Sequence, residues 1–210
     1  MSSKAPENYT SSIERLLRLD NTTALSDVYV IGLQEAPKSD LIQYQLKMGI
    51  QAMLGPHFVL LRWEALGVLH CSIWIRRELL WCCTTVRSFP VNSRPVAANR
   101  IRTKGALALA VDIFGTAFLF INTHLSAHTA NLKTRMNQMD KIQQALGVHW
   151  NRSESIKHLP DETANRFLFR NPGKSDYIFW FGDLNFRLER SLEQIMQSLQ
   201  QISSESNTGK

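Results

Sequence analysis

Asp176-Tyr-Ile-Phe-Trp-Phe-Gly-Asp-Leu-Asn-Phe-Arg187 places an apolar strand, a glycine and three polar side chains within twelve residues. Tyr177 to Phe181 are aromatic or β-branched, which predicts a strand buried on both faces, and Gly182 lets the backbone turn closely as the strand ends. Asp183, Asn185 and Arg187 follow at the strand's mouth. A carboxylate, an amide and a guanidinium beside a dry core act more strongly than they would in water, and phosphate chemistry is the natural use of such a group. The same Asp/Asn/Gly cluster also serves as plain turn chemistry at a strand-to-helix junction.

Two strands upstream share this design. Asp27-Val-Tyr-Val-Ile-Gly-Leu-Gln-Glu35 reads as a buried strand ending in a glycine and then an acid, so Glu35 is a second candidate beside its plainer role as a surface glutamate. The strand pair Ala106–Ile113 and Ala117–Thr123, joined at Phe114-Gly115, ends in Asn122-Thr-His124. His124 is the third candidate, although a lone strand-end histidine is often structural. Residues 87–104 form a basic loop with Arg87, Arg94, Arg100, Arg102 and two prolines, leading to Thr103-Lys-Gly105. Lys104, beside a glycine at a strand entrance, can meet a phosphate or simply face solvent.

The remaining chain supplies scaffold. Ser11-Ser-Ile-Glu14 is a capping box for a helix at 12–20, and a second helix at 40–54 is stopped by Gly55-Pro56, with Met48 and Met53 as core filler. Phe58–Trp63, Gly67–Ile75 and Leu79–Val86 read as a meander, with Arg76-Arg77 at a hairpin tip and His70 structural. Leu132, Met136, Met139, Ile142 and Leu146 form the core stripe of a helix from 130 to 146, with Arg135 beside it, and 147–175 is polar and loop-like. Ser191-Leu-Glu-Gln194 caps a last helix before a Ser/Asn/Gly tail expected to be disordered.

At 210 residues and 44% apolar composition, the chain suits one substantial core. Its 24 Lys+Arg against 18 Asp+Glu give a charge of +6, which favours an anionic partner without choosing among nucleic acid, phospholipid and phosphate ester. Cys71, Cys82 and Cys83 form neither a disulfide framework nor a zinc spacing, and fit a reducing cytosol. No secretory signal or transmembrane span is expected.

Glu after one strand, Asn-x-His after another and Gly-Asp-x-Asn after a third resemble the magnesium-dependent endonuclease/exonuclease/phosphatase superfamily. Within it, Ile31-Gly-Leu-Gln-Glu35, Thr103-Lys-Gly105, Asn122-Thr-His-Leu125 and Trp180–Arg187 look like the inositol polyphosphate 5-phosphatases. Leu54–Leu61, Gly67-Val-Leu69 and Ile101–Leu107 look closest to the lipid-directed type IV branch. The resemblance covers residues 27 to 190 and implies an α/β fold, a DNase I-like two-sheet β-sandwich flanked by helices. It implies Mg²⁺ on Glu35, Asp183 as base with Asn185 as its companion, His124 on the scissile phosphate, and Lys104 and Arg187 as phosphate-binding residues. Lys104 would meet the inositol 1-phosphate, although Thr103 stands where many members have Asn.

The family's first strand, bearing a Mg²⁺-ligating Asn, and its closing Pro-x-Trp-Cys-Asp-Arg segment have no counterpart here, so the sandwich is expected to be incomplete at both ends. The expected organisation is a helical lead-in at 1–26, a partial catalytic domain at 27–190, and a short helix with its tail at 191–210. The implied function is Mg²⁺-dependent removal of the 5-phosphate from inositol phospholipids at a membrane surface. No nucleic-acid partner is expected, and the oligomeric state is left open. The implied address is cytoplasmic and peripheral, at Golgi or cilium if the type IV likeness holds. The alternatives are a catalytically incomplete fragment that binds phosphoinositide or protein, and a nuclease of the same superfamily.

Overall fold

A computed structural model describes residues 26–93, 104–148, 174–187 and 191–206, with side chains through 200 in the last segment. The elements are β1 (Val28–Leu33), α1 (Asp40–Leu54), β2 (Phe58–Leu66), β3 (Leu69–Arg76), β4 (Arg87–Asn92), β5 (Gly105–Ile113), β6 (Thr116–His124), α2 (Leu132–Leu146), β7 (Tyr177–Asp183) and α3 (Leu192–Ser206). The strands form two sheets, ordered β1-β3-β2 and β4-β5-β6-β7. All pairings are antiparallel except β6 with β7.

Residue parity explains the stacking. In β3, Leu69, Cys71, Ile73 and Ile75 face Leu107, Leu109, Val111 and Ile113 of β5 across the sandwich, while Trp74 turns outward to Ile50 and Leu54 of α1. The other face of β5 carries Ala106, Ala108 and Ala110, small residues over which Ile142 and Leu146 of α2 pack with Leu119 and Ile121. Helix, sheet, sheet and helix thus make four layers. Every residue of β5 is buried, since both faces of this central strand are covered. The expected two-sheet sandwich with flanking helices is therefore the observed architecture.

Several expectations change. Leu79–Val86 is not a strand: Arg77–Cys82 winds into a 3-10 turn, and Cys83 makes only an isolated bridge to Ile113. The chain crosses there from one sheet to the other, which overrides the strand propensity of Leu, Trp, Cys and Val. Arg87–Asn92, expected as loop, is a strand. Its Pro90 is tolerated because β4 is a sheet edge, where a missing N–H breaks no ladder.

β7 is not buried on both faces. Tyr177 and Phe179 are 57% and 49% exposed at the outer edge of their sheet, stacked on Phe118 and Phe120 of β6. Met48 is exposed rather than core filler, whereas Met53 packs beside the α1 cluster. Leu132 and Met136 are exposed too, and the buried face of α2 is Arg135, Gln138, Ile142 and Leu146. At the end of β3, the Arg76 guanidinium pairs with Asp27 at 2.8 Å and lies over the Phe58 ring. The capping box at Ser191 forms reciprocally, with Gln194 N–H donating to Ser191 Oγ at 3.3 Å and Ser191 N–H to Gln194 Oε1 at 3.1 Å. The helix expected at 12–20, the loop residues Arg94, Arg100 and Arg102, and the tail at 207–210 lie outside the described residues.

Candidate active site

Register assembles the site. β6 and β7 run parallel with His124 opposite Asp183, and β5 runs antiparallel along the other side of β6 with Gly105 opposite His124. Lys104, at the entrance of β5, therefore reaches the same end of the sheet as His124 and Asp183. Thr123 secures the alignment by donating from Oγ1 to Phe181 O at 3.0 Å and accepting from Trp180 Nε1 at 3.2 Å. Gly182, at φ 117°, lies so close to β6 that any Cβ there would collide with Thr123 O. It sits inside the strand as a point of close approach, where the sequence suggested a turn.

β1 delivers Glu35 from the other sheet. Gly32 is the contact point, because a Cβ there would press on the Phe181 ring and the Asn122 amide. Two residues on, Gln34 Nε2 donates to Asn122 Oδ1 at 2.7 Å, while Asn122 Nδ2 donates to His70 O at 2.8 Å. Asn122 is fully buried, so this amide is a polar staple between the sheets at the base of the site. Sequence reasoning assigned no role to Asn122 or Gln34; the available signal was their place beside His124 and Glu35 in the strand-end motifs.

His124 sits almost wholly buried in the centre. Its Nε2 lies 3.5 Å from Asp183 Oδ2 and in hydrogen-bond contact with Lys104 Nζ. Burial lowers its pKa first and the Lys104 cation second, against opposite pulls from Asp183 and Glu35. The ring is therefore neutral at pH 7, and its approach to Asp183 is a polar contact rather than an ion pair. An ammonium can only donate, so Lys104 bonds Nε2 in the tautomer that carries the ring proton on Nδ1, a nitrogen with no hydrogen-bond partner of its own among the described residues.

The loops leaving this end are held in strained or pinned conformations. Glu35, His128 and Asn185 have φ of 55°, 75° and 52°, a region that costs non-glycine residues about 1–3 kcal/mol each and recurs at functional sites. Asn185 N–H donates to Asp183 Oδ1 at 3.0 Å, and Asn185 Nδ2 donates to Leu125 O at 2.9 Å, tying the end of β7 to that of β6. Arg187 is exposed and reaches Asn185 Oδ1 at 3.5 Å. Beneath the loop after His124, buried Arg135 donates through Nη1 to His128 O at 2.6 Å and Ser126 O at 3.2 Å. Gln138 accepts from Ser126 N–H at 2.9 Å and donates to Ser126 Oγ at 3.0 Å. Lys104, His124, Asp183 and Asn185 thus come together at one end of the sheet, with Glu35 acting on His124 from β1 and Arg187 at the rim, while the Arg135/Gln138 clamp, like the Gln34–Asn122 bond, was not anticipated from the sequence.

The donor set also bears on a metal. Glu35 is exposed and near enough to His124 to act on its charge, so its hard carboxylate oxygens are open to a cation, and among the described residues no cluster of three or more His, Cys, Asp or Glu would hold an ion unaided. A single hard carboxylate of this kind fits a divalent cation that completes its shell with water and substrate phosphate.

The family model of the Endonuclease/Exonuclease/phosphatase family 2 matches residues 1–208. The chain belongs to that family. Among relatives of this phosphatase-family chain, the human phosphatidylinositol polyphosphate 5-phosphatase type IV is 37% identical over 178 residues, 84% of this chain and 26% of that protein. The type IV inositol polyphosphate 5-phosphatase 11 of Arabidopsis thaliana is 26% identical, covering 91% of this chain and 50% of that protein. The family chain therefore spans about a quarter of its human relative's length and half of the plant one's. Its fold is shared with the inositol polyphosphate 5-phosphatase domain of SPsynaptojanin, solved with inositol (1,4)-bisphosphate and calcium ion. The TM-score is 0.64 at 24% identity, covering 91% of this chain and 52% of that one.

Proposed function

We propose that this chain carries the catalytic face of a phosphoinositide 5-phosphatase, which hydrolyses the 5-phosphate of an inositol phospholipid with Mg²⁺. One observation carries the reading: Lys104 at the entrance of β5 and His124 and Asp183 at the ends of β6 and β7 meet at one end of the sheet. A cation, a neutral imidazole and a carboxylate at one point match the needs of hydrolytic phosphoryl transfer, namely charge neutralisation, a hydrogen bond to phosphate and a base for water. The 5-phosphate and lipid specificity follow from the likeness to type IV 5-phosphatases.

Asp183 accepts the proton of the attacking water through the carboxylate oxygen that faces His124, while its other oxygen stays on the Asn185 N–H. Arrival of a phosphate dianion raises the pKa of His124, so the ring gains a proton and donates from Nε2 to a phosphate oxygen. Lys104 moves from His124 to the anionic head group, and Arg187 supplies a second, exposed cation at the rim. Asn185 holds the two strand ends together while the water attacks. Mg²⁺, held by Glu35, would offset charge developing on the phosphate oxygens. No covalent intermediate is required, because water itself displaces the inositol oxygen.

Among the described residues no helix is long and apolar enough to cross a membrane. The type IV likeness makes Golgi and cilium the compartments in which to look. The test is Mg²⁺-dependent phosphate release from vesicles containing phosphatidylinositol 4,5-bisphosphate. Asp183→Ala is expected to lower kcat by about 10²–10⁴-fold, and full activity in that variant would overturn the assignment. Lipid binding without any release in the unsubstituted protein would favour the non-catalytic reading.

A further inference from the structure

Cys82 and Cys83 close the 3-10 turn that leaves β3, and their thiols converge on one acceptor. Cys82 Sγ lies 2.9 Å and Cys83 Sγ 3.3 Å from the carbonyl oxygen of Leu79. Cys82 also lies close enough to Cys83 to raise its pKa. Both are partly exposed, unlike Cys71, which is sealed between the sheets. Their backbone is pinned: Cys83 N–H donates to Leu80 O at 3.2 Å, Phe114 N–H donates to Cys82 O at 3.0 Å, and Cys83 bridges Ile113.

We propose that Cys82 and Cys83 form a vicinal dithiol site that chelates a trivalent arsenical through both sulfurs. The pinned backbone and the shared carbonyl already hold the two sulfurs as neighbours, so chelation sacrifices only weak S–H hydrogen bonds. Two sulfurs complete the shell of an arsenic that carries one organic substituent. A tetrahedral zinc needs four ligands, and no cluster of three or more His, Cys, Asp or Glu occurs among the described residues. With an arsenoxide, the arsenic–oxygen bond is exchanged for two arsenic–sulfur bonds, and both thiol protons leave with the oxygen as water. No oxidant takes part.

Peroxide chemistry is disfavoured at the same pair. Burial, followed by the neighbouring Cys82, pushes the Cys83 pKa up to about 11, so little thiolate is present to attack a peroxide. The dithiol also stands apart from the phosphate site. It lies against the Phe114-Gly115 turn that begins β6, whereas His124 ends that nine-residue strand, a separation of roughly 27 Å at about 3.3 Å per residue.

The test treats the folded protein with equimolar phenylarsine oxide and reads intact mass and peptide maps. The expected result is one phenylarsenic group per chain on the peptide containing Cys82 and Cys83, stable to excess glutathione and removed by 2,3-dimercaptopropanol. Cys82→Ser and Cys83→Ser should each abolish it, and Cys71→Ala should retain it. Absence of an adduct, persistence in either serine variant, stripping by glutathione or location on Cys71 would each overturn the proposal. Where a serine variant fails to fold by circular dichroism, the peptide map and glutathione arms on the unsubstituted protein decide.

Discussion

Gln34 and Asn122, 88 residues apart, are hydrogen-bonded across the sandwich at 2.7 Å, and this contact sets the end of β1 against the end of β6. Asn122→Ala would orphan the His70 carbonyl and the Gln34 amide within the interior. Unsatisfied buried groups cost about 1–3 kcal/mol each, so a loss of about 3 kcal/mol is expected in urea unfolding. Phosphatase activity should fall beyond the loss of folded protein, because Glu35 follows the detached Gln34. An unfolding midpoint within error of the parent would contradict the staple.

Gly182 holds β7 against β6 at a spacing that no side chain permits. Gly182→Ala should force Asp183 out of register with His124 and abolish measurable turnover while destabilising the fold by about 3 kcal/mol or more. Thermal unfolding and phosphate release on one preparation check both effects. A variant with unchanged Tm and activity would show that the strands are not this close.

Arg135 is buried beneath the loop after His124, with its guanidinium committed to two loop carbonyls. Arg135→Met preserves much of the volume but leaves both carbonyls short of a charged donor, a loss of about 3 kcal/mol. The loop Ser126–His128 should loosen with it, seen as faster amide hydrogen exchange there than across β5. Uniform exchange changes would argue against a local clamp.

His70 is buried and packs edge-on against Trp63 at 5.6 Å between centroids. Burial lowers its pKa first, and Lys47 adds to that against the Gly67 backbone. The folded value lies below the ordinary 6.5, so between the two values the unfolded chain binds a proton that the native chain lacks. Stability should therefore rise with pH through that window and fall on acidification below about 6.5. His70→Phe should flatten this slope, leaving the part due to His124, whose pKa is lowered in the same sense. Urea unfolding at several pH values between 5 and 7 measures it, and an unchanged slope would refute the role of His70.

The legible parts of the sequence were those in which local chemistry and tertiary role coincide. β5, β6 and α1 were read near their observed bounds because their apolar residues recur at the strand or helix period and their ends carry glycine turns. The Leu79–Val86 segment misled because its composition suits a strand, while its position between two sheets requires a crossing. On α2 the stripe expected from the sequence holds at Met139, Ile142 and Leu146 and fails in the first turns, where Leu132 and Met136 are exposed. In those turns Leu132 and Met136 match the period as well as Arg135 and Gln138 do, and the preference for burying apolar residues favours the pair that is in fact exposed. What reverses the choice is a loop needing donors and acceptors beneath it, which no pattern within one helix reveals.

Sequence alone determined that strands end in Glu35, His124 and Asp183 with Lys104 at a strand entrance, and that these residue types suit phosphate chemistry. A strand's period and its terminating residues are local properties, so one chain segment suffices to express them. Tertiary structure decided the rest: the parallel pairing that sets His124 opposite Asp183, the neutral imidazole between a lysine and two carboxylates, and the Gln34–Asn122 staple. These depend on burial and on contacts between segments far apart in the chain. Desolvation and register exist only once the two sheets have closed on each other.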